Sequence, residues 1–196
     1  MNKAKVEQAI RDLLEAFGED TTREGLIETP RRVAGYWEEL LEGMKYTNRE
    51  IAEMFSKKFI TTSDPLVVKE VKNVYSHCEH HLALMFNMTV VVAYIPRETA
   101  PGSKKYEVIG LSKIPRIVDL CSKRLQLQEK MAEDIAECIS LATGSPDVFV
   151  NIKGDHACVS ARGAKSDGFT DVTVLHGRFE TNTDLRNEIE RKLVHI

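Results

Sequence analysis

Residues 66–74 and 88–95 are crowded with β-branched side chains. Two helix-like stretches follow at 112–123 and 126–143, and two more strand-like runs come at 147–153 and 171–179. Strand, strand, helix, helix, strand, strand is an order that few architectures accommodate. Paired hairpins flanking a helical pair suit an antiparallel sheet with helices on one face, an α+β arrangement. Gly144-Ser145-Pro146 closes the second helix, and Pro101-Gly102-Ser103-Lys104-Lys105 reads as a turn or surface loop. Ahead of the strands the chain reads as helix. Val6, Ile10, Leu13 and Leu14 recur on one helical face until Glu19-Asp20-Thr21-Thr22 breaks it. Thr29-Pro30 then offers a hydroxyl cap and a proline at the first helical position, opening a helix through Val33, Tyr36, Trp37, Leu40 and Leu41 to Gly43. Asn48 is expected to cap a short helix through Ile51 and Met54, and residues 183–194 form a charged terminal helix. The expected division is an N-terminal helical region at 1–60 and a sheet-bearing domain with a C-terminal helix at 61–196.

Composition narrows the function classes. With 42% hydrophobic and 29% charged residues, the 196-residue chain can bury a core. Lys plus Arg total 27 against 30 Asp plus Glu, a formal charge of −3, so the basic excess of a sequence-independent nucleic-acid binder is missing. The apolar run at 88–95 falls far short of the ~18 residues of a membrane helix, and Met1-Asn2-Lys3-Ala4-Lys5 leads into amphipathic sequence without a signal-peptide core. Four cysteines do not make a disulfide framework in a chain of this length. The expectation is a cytoplasmic protein with neither nucleic acid nor membrane as partner.

Four of the six histidines and two of the four cysteines fall in two short segments, His77-Cys78-Glu79-His80-His81 and Asp155-His156-Ala157-Cys158. Cys78 and His81 are three residues apart, which in a helical turn puts them on one side, near enough for thiolate and imidazole to reach one ion at ~2.0–2.3 Å. On an extended backbone His156 and Cys158 point to one face. Cys78, His81 and Cys158 would then hold a soft divalent cation, zinc best of all, with a coordination position left open for catalysis. Zinc brings the pKa of bound water from 15.7 to roughly 7, and His80 and His156 would carry protons beside it. A further histidine or a carboxylate could instead close the site as a structural one, and His77 is either an alternative ligand or a turn residue. Cys121 and Cys138 lie in helical sequence without nearby histidines and are expected in the core.

A second constellation is Ile109-Gly110-Leu111-Ser112-Lys113-Ile114-Pro115-Arg116. Ser112 can cap a helix whose first turn carries Lys113 and Arg116, a phosphate cradle of free N–H groups, a hydroxyl and two cations. Arg162 could join them, since guanidinium grips phosphate bidentately. The plainer reading is an ordinary cap with two solvated cations. Beside a hydrolytic metal, the cluster suggests a polyanionic small substrate.

At these residues the sequence resembles the GTP cyclohydrolase I family. The resemblance runs from about residue 18 to 163. It includes Gly18-Glu19-Asp20, Arg23-Glu24-Gly25-Leu26, Thr29-Pro30-Arg31-Arg32-Val33-Ala34, Cys78-Glu79-His80-His81, Ala93-Tyr94-Ile95-Pro96, residues 108–113, Gln126-Leu127-Gln128-Glu129, His156-Ala157-Cys158 and Ala161-Arg162-Gly163. It implies the tunnelling fold, a ring of subunits that is typically a decamer with sites at subunit interfaces, and a zinc-dependent opening of the guanine ring of GTP at C8. The products are 7,8-dihydroneopterin triphosphate and formate. By this resemblance Cys78, His81 and Cys158 are the Zn2+ ligands, and His80, His156 and Ser112 are catalytic, with His80 protonating N7. Lys113, Arg116 and Arg162, with Ser112, hold the triphosphate, Glu129 recognises the guanine edge, and Gln128 beside it belongs to the substrate-binding set.

The segment between Pro96 and Val108 is several residues longer than the family's usual connection. Leu125 stands where proline is common, His77 where an apolar residue is usual, and residues 164–176 lack the usual Ser/Thr-rich strand pattern. An alternative is a related tunnelling-fold pterin or deazapurine enzyme acting on a later intermediate, although that branch binds zinc through three histidines. A structural zinc module would need a fourth ligand.

Overall fold

In a computed structural model that describes residues 1–62 and 66–194, the chain divides into two compact units, Met1–Glu42 and Gly43–Ile196. In the first, α1 (Lys3–Ala16) starts at Asn2, whose side chain accepts from the Lys5 N–H, and packs against α2 (Thr29–Leu40). Pro30 occupies the first turn of α2, where its missing N–H costs nothing. The Thr29 hydroxyl, expected as the cap, lies inside the helix and donates to the Gly25 carbonyl at 3.4 Å.

The second unit begins with a 3-10 turn and α3 (Asn48–Phe55). Its cap is Thr47, one residue before the expected Asn48, in a reciprocal capping box with Glu50. The reason is tertiary: the Asn48 amide donates to Asp134 at 2.9 Å and Glu137 at 2.6 Å. The elements that follow are β1 (Lys58–Thr61), β2 (Val67–Cys78), β3 (Leu84–Tyr94), β4 (Arg97–Glu98), β5 (Tyr106–Ile109), α4 (Lys113–Ser122), β6 (Leu125–Gln126) and α5 (Gln128–Thr143). Then come β7 (Val148–His156), α6 (Ala157–Ser160), β8 (Thr170–Leu175), α7 (Arg178–Thr181) and α8 (Thr183–Val194).

The expected order of two strands, two helices and two strands is that of the main elements β2, β3, α4, α5, β7 and β8, with the short β4, β5, β6 and α6 inserted between them. One five-stranded sheet runs β6-β2-β3-β7-β8, antiparallel apart from the short parallel β6–β2 pairing. α5 ends where Gly144 takes φ +74, a left-handed cap that glycine adopts without strain. β8 stops at Leu175, short of the expected 179, because the chain turns at Gly177 (φ +62) and Phe179 enters α7.

The long apolar run of β3 is explained by its two covered faces. Val90, Val92 and Tyr94 pack with Ile117 of α4 and Ile135 and Ile139 of α5. The alternating Val91, Ala93 and Ile95 pack with Phe179 of α7 and Ile189 of α8. The C-terminal helices therefore cover a face that the sequence pattern leaves open. The longer segment after Pro96 becomes the β4–β5 hairpin, which joins β1 in a three-stranded antiparallel sheet. The Glu98 carboxylate holds its tip by accepting from the N–H groups of Gly102 (3.0 Å) and Lys104 (3.1 Å).

Candidate metal centre and active site

Antiparallel pairing is what brings the two histidine- and cysteine-bearing segments together. Cys78 is the last residue of β2, and its N–H donates to the Ala83 carbonyl at 2.9 Å, closing a hairpin turn into β3. Leu82 takes φ +52 in that turn, a left-handed conformation unusual for a branched side chain. β3 then pairs with β7 so that Met85 lies opposite His156, the last residue of β7. The start of one strand, the end of the other and the turns beyond both thus share one edge of the sheet.

At that edge the Sγ atoms of Cys78 and Cys158 and a ring nitrogen of His81 all lie within 4.8 Å of one another. Two thiols and an imidazole are a soft donor set that suits a d10 divalent ion. Cys78 is buried, Cys158 half-buried and His81 exposed, so the cluster opens to solvent on the histidine side. Burial pushes the Cys158 thiol pKa up, with Cys78 beside it adding to the shift. The three do meet, though by different local geometry from that expected. Residues 79–81, following Cys78 at the end of β2, form a hairpin turn, not a helical one, and the backbone leaves the extended conformation after His156, so Cys158 lies in α6.

Of the other expected residues, His80 is exposed in the same turn, its ring edge-on to that of His81 at 6.3 Å. The His156 ring is half-buried at the end of β7, with Nε2 2.7 Å from Gln128 Oε1. Burial draws the His156 pKa down, and the nearby carboxylates Glu129 and Asp155 pull it the other way. Glu129 is exposed in the first turn of α5, and Arg162 is exposed with its charge felt at Cys158. Ser112 precedes α4 in helical backbone geometry and makes no side-chain cap, so the hydroxyl faces no orphan N–H. Lys113 lies 5.7 Å over the Phe55 ring, and Arg116 is exposed. Among the described residues no hydrogen bond or ion pair joins Ser112, Lys113 or Arg116 to the Cys78–His81–Cys158 cluster.

His77 belongs to β2 rather than to the turn, 2% exposed, and burial lowers its pKa. Cys121 and Cys138 are core residues with sulfurs 3.6 Å apart. Gln128 is buried, and its amide bonds to the carbonyls of Ile152 and Thr170 and to the His156 ring.

The family model described as GTP cyclohydrolase I matches residues 6–194. The chain belongs to the GTP cyclohydrolase I family. Curated members similar to it include GTP cyclohydrolase 1 of Clostridium beijerinckii, 46% identical over 192 residues that cover 94% of this chain and 93% of the relative. The enzyme of that name from Clostridium acetobutylicum is 48% identical over 186 residues, covering 92% and 91%. That from Clostridium botulinum (strain Kyoto / Type A2) is 47% identical over 192 residues, covering 94% and 93%. These GTP cyclohydrolase I relatives align over both compact units of the chain. No helix among the described residues is long and apolar enough to cross a membrane.

Proposed function

We propose that this chain is a hydrolase of the GTP cyclohydrolase I type, opening the guanine ring of GTP at C8 to give 7,8-dihydroneopterin triphosphate and formate. The observation that carries the reading is the convergence of Cys78, His81 and Cys158 within 4.8 Å on a chain of this family. Cys78, His81 and Cys158 are the residues to hold the metal, and their softness favours zinc. When bound, such an ion supplies Lewis acidity, which lowers the pKa of a water ligand to roughly 7.

The remaining work falls to the chain's own groups. Glu129, exposed at the start of α5, accepts from N1–H and the 2-amino group of guanine and sets the purine edge. Lys113, Arg116 and Arg162, with the Ser112 hydroxyl, offer the triphosphate three cations and a donor. His80, exposed in the hairpin turn, donates a proton to N7 as water adds at C8, and His156 moves protons in the later sugar rearrangement with Ser112. A second addition of water releases formate, and ring closure yields the pterin.

The assembly we propose is a homo-decamer with sites between subunits. A reducing, cytoplasmic setting suits a site built on free thiols. The decisive test is incubation of zinc-loaded protein with GTP, following formate and the pterin absorbance together. Formate without pterin, or neither product, overturns the reading. Accumulation of both, abolished by a chelator and restored by zinc, is the expected result.

A further inference from the structure

Gln128 is the first residue of α5 and is 1% exposed. Its Nε2 lies 2.8 Å from the Ile152 carbonyl of β7 and 3.2 Å from the Thr170 carbonyl of β8. Peptide carbonyls only accept hydrogen bonds, so the NH2 end of the amide must face them, because the flipped amide would set oxygen against oxygen twice. Oε1 is therefore the atom 2.7 Å from His156 Nε2. An amide oxygen also only accepts, so His156 Nε2 must carry a hydrogen. In the neutral imidazole this makes Nδ1 the bare nitrogen.

We infer that Gln128 is a positioning residue that locks the ring plane and tautomer of His156, leaving Nδ1 as the atom through which His156 exchanges protons with the substrate. The lock is stiff because its anchors are backbone carbonyls on two hydrogen-bonded strands. It also explains why an amide serves better than a hydroxyl or carboxylate: one planar group must donate twice on one side and accept on the other. A buried side chain with both amide ends engaged has no free donor to offer GTP, so the substrate-binding role implied for Gln128 by resemblance gives way to one exerted through His156. The inference rests on the proposed role of His156, and its test separates the two.

The first arm needs no substrate. In zinc-loaded protein labelled with ring-15N histidine, with His156→Ala used for assignment, the long-range 1H–15N spectrum should show His156 protonated at Nε2. A His156 protonated at Nδ1 alone overturns the lock. The second arm is Gln128→Met, of similar length but without the amide. It should show mixed His156 tautomers and a kcat about 10- to 100-fold lower, with KM for GTP within about twofold and metal content unchanged. A raised KM with kcat retained would mark Gln128 as a substrate contact and overturn the inference, as would an unchanged kcat. Should the variant not fold, the spectrum of the unmodified protein still decides. An Nε2–H tautomer in a protein that does not turn over GTP would leave the lock standing and overturn the functional reading alone.

Discussion

Cys158 holds its proton more tightly than an ordinary thiol, because burial disfavours the thiolate and Cys78 sits beside it. A metal bound there must displace that proton. Below the raised pKa the thiol is protonated in the metal-free protein, so lowering the pH weakens binding by about tenfold per unit for this one proton. Competition with a zinc indicator between about pH 8 and about pH 6 should show the loss, and a flat profile would exclude thiolate ligation. Substitution sorts the roles. Cys78→Ala, His81→Ala and Cys158→Ala should each lose the metal and all turnover, whereas His80→Ala and His156→Ala should keep it and lose about 10²- to 10⁴-fold in kcat, read by metal analysis beside the assay. Stoichiometric metal in a Cys78→Ala protein would refute the ligand set. Lys113→Gln and Arg162→Gln should each weaken GTP about 10-fold or more, the worth of a charged hydrogen bond, and leave guanosine nearly unaffected. Equal weakening would end the triphosphate role. The residue types and their clustering were legible in the sequence, since few reasons exist for Cys-x-x-His and His-x-Cys to recur in one chain. The geometry that joins them was not, because spacing alone cannot tell a helical turn from a hairpin turn closed by a residue at φ +52. Gln128 was equally opaque, as its partners Ile152 and Thr170 are distant in sequence and contribute only backbone carbonyls.

At the level of elements, the α4–α5 connection is held by Arg124. It donates to the carbonyls of Gly43 (3.3 Å) and Tyr46 (3.0 Å), to Asn48 Oδ1 (2.7 Å) and to Asp134 (2.8 Å), while Lys130 adds a second ion pair to Asp134. Gly43 must be glycine here, because a Cβ would fall on the Leu120 carbonyl. Burial pushes the Asp134 carboxyl up, but Lys130, Asn48 and Arg124 outweigh it and hold the pKa below the ordinary range. A depressed folded pKa means stabilisation that is present above the unfolded value of about 3.9 and fades as pH falls toward the folded one. Asp134→Ala should therefore cost about 3–5 kcal/mol near neutrality, the loss expected when one partner of a buried pair is removed, with the gap narrowing only below about pH 3.9. Denaturant titrations at both pH values measure it, and a constant gap would assign the cost to packing instead. This network escaped sequence reading because its members come from three separate segments, at 43–48, 124 and 130–134. Periodicity found the strands and helices that bury one or two faces, but not β1, β4 and β5, which are two to four residues long and defined by mutual pairing.

For the whole molecule, the question is whether one chain holds a complete site. Leu82, Leu111 and Val159 stand next in sequence to His81, Ser112 and Cys158, and they are 53%, 64% and 41% exposed in the single chain. Apolar side chains left open beside the proposed metal ligands and triphosphate cradle are what a subunit contact would cover. The segment 161–169, which carries Arg162, is exposed throughout. In the proposed assembly, a triphosphate held by the Ser112–Lys113–Arg116 segment of one copy would meet a purine opened at the metal cluster of another. Light scattering should then give about ten chain masses, the decamer of the proposed assembly. A Lys113→Gln/Arg116→Gln variant, assayed at GTP too dilute for its weakened cradle to support turnover, and the inactive Cys158→Ala should recover a measurable fraction of activity when their subunits are co-assembled, because some interfaces then pair an intact cradle with an intact metal cluster. If every site were complete within one chain, mixed assemblies would contain only defective sites and no activity would return. Separately assembled oligomers mixed without exchange provide the control, and they should remain inactive in either case.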